Sequence, residues 1–125
     1  MEFNKTKKEL HSTIEIFDPY DDEWKAPVKT TGCPPEGLYG GGCCVSPSGD
    51  LYVFGGLDGS SWRGGLYKLS SLDWSQLSSE SDEHGPMKKF GCRMVYIGKC
   101  KLAVVGGYGP PPATLQIGAS FIKIH

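Results

Sequence analysis

Leu51-Tyr52-Val53-Phe54-Gly55-Gly56 is a short apolar run closed by a glycine doublet, and Leu102-Ala103-Val104-Val105-Gly106-Gly107 repeats it 51 residues later. Two further signatures keep nearly the same spacing. Phe17 and Trp24, seven residues apart, recur as Tyr67 and Trp74 at an offset of 50. Pro35, Tyr39 and Gly40 recur as Pro86, Phe90 and Gly91 at an offset of 51. Three independent patterns in one register mark an internal repeat of about fifty residues, the period of a structural unit that stacks on copies of itself.

Working outward from the first doublet, the chain reads as short strands joined by turns. Gly41 to Ser46 is small and apolar, and the turn formers Pro47-Ser48-Gly49 follow it. A second strand runs from Asp50 to Phe54 and ends at Gly55-Gly56, where glycine allows a sharp exit at positive φ. A loop, 57–65, leads to a third strand from Leu66 to Ser70 and a fourth from Trp74 to Leu77. The turn before Trp24, Asp18-Pro19-Tyr20-Asp21-Asp22-Glu23, is equally rich in turn formers.

The order of strand, glycine doublet, aromatic residue and tryptophan resembles the kelch repeat family over residues 14–108. The resemblance implies an all-β fold, a partial kelch β-propeller. One complete four-stranded antiparallel blade, 38–78, would be flanked by two half blades. Residues 14–27 would be the last two strands of one blade and residues 88–109 the first two of the next, with tails at 1–13 and 110–125. The aromatics Phe17, Trp24, Tyr67 and Trp74 would pack between adjacent blades. Gly55, Gly56, Gly106 and Gly107 would close the second strands. After Gly107, Tyr108-Gly109-Pro110-Pro111-Pro112 departs from the motif, with no further aromatic–tryptophan pair. Starting and ending inside a repeat is the pattern of a piece of a longer array. Its missing neighbours, the remaining blades of a parent chain or assembly, would cover faces and edges that one piece alone leaves open.

The resemblance also implies a function. Kelch propellers bind proteins through the strand 2–3 and strand 4–1 loops, some as ubiquitin-ligase substrate receptors, actin binders or adaptors. Mapped onto this chain, those loops carry Asp58, Ser60, Trp62 and Arg63, then Lys88 and Lys89. Tryptophan and arginine are types that dominate binding hot spots. The competing reading is a fragment of a kelch-fold enzyme, a copper oxidase or a sugar epimerase.

Composition narrows the classes further. A net charge of -1 gives no sign of a nucleic-acid or anionic-membrane partner. No apolar run approaches the roughly 18 residues of a membrane span, and residues 1–17 lack a signal-peptide core. The expected location is the cytoplasm. Five cysteines, an odd number, argue against a disulfide framework. Cys43 and Cys44 are vicinal in an expected strand, so their thiols would face opposite sides and could not share a metal. His11, His84 and His125 are scattered, and no paired acid and base stands out. No catalytic residue, metal or cofactor is therefore expected.

Overall fold

A computed structural model describes residues 13–35, 40–58, 61–78, 88–110 and 119–124 of the chain. Within them the secondary structure is all β. The strands are β1 (Thr13–Ile14), β2 (Phe17–Asp18), β3 (Glu23–Trp24), β4 (Val28–Lys29), β5 (Thr31–Gly32), β6 (Gly42–Val45), β7 (Leu51–Phe54), β8 (Leu57–Asp58), β9 (Ser61–Trp62), β10 (Leu66–Ser70), β11 (Asp73–Ser78), β12 (Arg93–Gly98), β13 (Lys101–Val105) and β14 (Ala119–Lys123).

Two sheets carry the core. In the first, β6, β7, β10 and β11 form an antiparallel meander in chain order, and β5 joins the outer side of β11 in parallel. In the second, β12, β13 and β14 form a three-stranded antiparallel meander. β6 lies against β12.

The repeat is visible as hydrogen-bond register. Gly42 pairs with Phe54 and Cys43 with Val53 in the first sheet; 51 residues later, Arg93 pairs with Val105 and Met94 with Val104. The doublets match in backbone conformation as well. Gly55 and Gly56 have φ of 75° and 105°, and Gly106 and Gly107 have 67° and 106°. Gly40 and Gly91 agree at 74° and 73°. These angles lie in the left-handed region that glycine enters without a Cβ penalty.

The third strand of the second sheet comes from residues expected to lie in a tail. β13 pairs Val105 with Ala119 just as β7 pairs Phe54 with Leu66. Ala119 therefore matches Leu66 at an offset of 53, because the connection is two residues longer. Ser120 then stands where Tyr67 stands in the first sheet, so the strand lacks the aromatic residue of the repeat.

Strand alternation directs one face of each sheet to the common core. Tyr52, Phe54 and Leu66 meet Cys92, Met94, Leu102, Val104 and Ile124, with Cys44, Tyr96 and Ile122 packed at the margin. A Cβ on Gly42 would lie 3.2 Å from the Cys92 sulfur and 3.3 Å from the Met94 Cβ, so the two first strands approach closely there. Cys44 turns toward this core while Cys43 is exposed, the opposed placement expected of neighbours in a strand.

The two aromatic pairs have different fates. Tyr67 and Trp74 are buried, on the opposite face of the first sheet by register. Phe17 and Trp24 pair directly across β2 and β3 with ring centroids 5.4 Å apart, yet Trp24 is 67% exposed. The expectation that this pair packs between sheets is not met within this chain, because the hairpin that carries it has two residues per strand and no described sheet against it.

Candidate interaction site at the glycine-doublet end

The loop between β7 and β10 is itself ordered as a small hairpin. β8 and β9 pair Leu57 with Trp62 and Asp58 with Ser61. Ser60 lies outside the described residues. The hairpin sets Trp62 with its indole N–H donating to the carbonyl of Tyr108, 3.1 Å away. The Trp62 ring meets Phe90 edge to face at 6.1 Å, and Phe90 is stacked at a tilt on Tyr108 at 5.8 Å. Three rings thus stand in a row that bridges the two sheets, in the geometry aromatic quadrupoles favour. Trp62 and Phe90 are half-buried and Tyr108 is exposed.

Backbone hydrogen bonds hold the row in place. The Gly56 amide donates to the Lys89 carbonyl at 2.7 Å, Lys89 donates to Arg63, and Arg63 donates back to Gly56. Phe90 and Tyr108 exchange amide–carbonyl bonds at 2.9 and 2.8 Å, and Gly91 donates to Gly40. The described segments at Gly40, Gly56, Arg63, Lys89 to Gly91 and Tyr108 are tied to one another, so the rings sit on a braced platform.

The expected contact residues divide. Trp62 and Arg63 are brought beside Lys89, as one site would require. Lys88 is exposed. Lys89 is 3% exposed, and its contribution to the platform is its backbone. Phe90 and Tyr108 complete the row, although in the sequence Phe90 marks only the repeat and Tyr108 only a departure from the motif. The signal that could have found Tyr108 is its place directly after the second doublet, matching Leu57 after the first.

Elsewhere, the acidic turn before Trp24 satisfies its own charges. The Asp18 carboxylate accepts the amides of Tyr20 and Asp21, the side-chain bonding that stabilises a turn. Lys25 places its ammonium 2.7 Å from Asp21 and 2.9 Å from Glu23, so the acidic turn already holds a cation of its own. Burial pushes the Cys44 and Cys92 thiols above their ordinary pKa. Among the described residues, no three His, Cys, Asp or Glu side chains are grouped to hold a metal. The three histidines lie outside those residues. No protein-family model and no curated protein matches the chain.

Proposed function

We propose that the chain is a protein-interaction module built of kelch-type repeats, and that its partner binds at the doublet end over Trp62, Phe90 and Tyr108. The observation that carries this reading is the braced aromatic row. Rings fixed by backbone hydrogen bonds lose little conformational entropy on binding, which is what an anchor surface needs. Arg63, next to Trp62 in the chain, and the exposed Lys88, two residues before Phe90, favour a partner with an acidic rim, which would raise the association rate more than the affinity. The β7–β10, β11–β12 and β13–β14 connections supply these residues, which by the repeat are the strand 2–3 and strand 4–1 loops that the kelch resemblance implies for a binding face.

The test compares proteins captured by the full-length wild-type chain with those captured by the Trp62→Ala, Arg63→Ala double variant. Specific partners should be lost from the variant while its far-UV circular dichroism stays unchanged. Equal capture by a variant with an intact spectrum would remove the assignment.

A further inference from the structure

The internal seam between the two sheets predicts a second one. In the first sheet, the face that receives its neighbour contains Gly42, Cys44, Tyr52, Phe54 and Leu66. Moved along by the repeat, those positions become Arg93, Val95, Ala103, Val105 and Ala119 on the second sheet. On that face Ala103 is already buried, Arg93, Lys101 and Lys123 stand at the margins, and the apolar side chains between them are open. Val95, Ile97 and Val105 are all exposed, and Phe121, which replaces Lys68, is 67% exposed. An open depression of about 280 Å³ at its edge is lined by Ile97, Lys101, Phe121, Ile122 and Lys123. Scattered exposed apolar residues are ordinary, but four on one sheet face form a contiguous sticky surface.

The matching donor face is also present on this chain. Cys92 and Met94, which enter the internal seam from the second sheet, correspond to Gly41 and Cys43 on the first. Cys43 is exposed and its same-face neighbour Val45 is 59% exposed. We propose that a second copy of this chain docks its β6 face, through Cys43 and Val45, onto the β12–β14 face of the first, through Val95, Val105 and Phe121.

Side-chain sizes suit this. Inside the chain a glycine, Gly42, faces a large residue, Met94. Between copies the large residue would be Arg93 and the small one Cys43. Arg93 already bends away, donating from Nη1 to the Cys92 carbonyl at 3.3 Å. Both halves of the contact lie on different surfaces, so the association is head-to-tail, and each bound copy leaves one face free for the next.

Sedimentation velocity of the full chain should show a weight-average mass that rises with concentration. Val95→Asp with Phe121→Asp should hold the chain monomeric, and so should Val45→Asp alone. Mixing these two variants should restore a single 1:1 dimer, because each keeps the face the other has lost. Arg93→Cys, oxidised with diamide, should give a reducible ladder with native Cys43, and Cys43→Ser added to it should abolish the ladder. A wild-type chain that stays monomeric throughout, or a ladder that persists without Cys43, would overturn the proposal.

Discussion

A Cβ built on Gly55 would lie 2.5 Å from the carbonyl oxygen of Lys89. The two residues belong to successive repeats, and their backbones nearly touch. The neighbouring Gly56–Lys89 hydrogen bond exists because that approach is allowed.

Gly55→Ala therefore meets two penalties, a left-handed φ of 75° and a backbone clash that no side-chain rotation relieves. The expected loss is on the order of 3 kcal/mol in denaturant unfolding. Gly49→Ala is the control. Its φ is 91° but nothing lies within 4 Å of the added methyl, so only about 1–2 kcal/mol of backbone strain applies. Equal losses at both sites would show that the close approach contributes nothing.

The repeat-related tryptophans should behave differently. Changing Trp74, which is only 8% exposed, to alanine should cost about 3–5 kcal/mol. Trp24→Ala should cost under about 1 kcal/mol in this chain, since an exposed ring forfeits little burial. Comparing the urea midpoints of the two variants tests this.

Two of the hairpin turns have just two residues, both of them non-glycine at positive φ. Ser71 and Leu72, between β10 and β11, sit at 50° and 63°, and Lys99 and Cys100 sit at 50° and 59°. Type I′ turns favour Asn-Gly at such positions. Ser71→Asn with Leu72→Gly should stabilise the chain by roughly 0.5–1 kcal/mol, the strain relieved less the added chain entropy. A lower melting temperature in this variant would refute the argument.

Thiol labelling should divide the cysteines by burial. Cys33, Cys43 and Cys100 are exposed, whereas Cys92 is fully buried with its thiol pKa raised by desolvation. At neutral pH and at protein concentrations low enough to keep copies apart, a maleimide should modify the first three quickly and Cys92 only as fast as the chain opens. Peptide mass mapping over time reads the order, and early labelling of Cys92 would contradict the packed seam.

Asp50 gives a pH dependence with a definite sign. Hydrogen bonding from Ser70, the nearby Lys68 charge and the Ser48 hydroxyl hold its carboxyl below the ordinary 3.8. A depressed folded-state value stabilises above the unfolded pKa and is lost as pH falls through the lower folded value. The stability gap between wild type and Asp50→Asn should thus be full at neutral pH and narrow below about pH 4. Thermal melts from neutral to acid pH check this, and a gap that widens on acidification would reverse the assignment.

By itself, the amino-acid order determined the repeat period, the strands β6, β7, β10 and β11, and the doublet turns. Those features are written in local chemistry, through apolar runs, glycines that alone tolerate positive φ, and turn formers between them. β14 was not legible, because a two-residue longer connection and Ser120 in place of Tyr67 remove both the spacing and the ring that would mark it. Nor could local pattern tell that Trp74 is buried and Trp24 exposed, since the motif is shared and only the neighbouring sheet differs. The row of Trp62, Phe90 and Tyr108 and the burial of Lys89 were likewise decided by tertiary structure. Those residues are far apart in the chain and meet only when the two sheets pack, where long-range contact, not local preference, sets exposure.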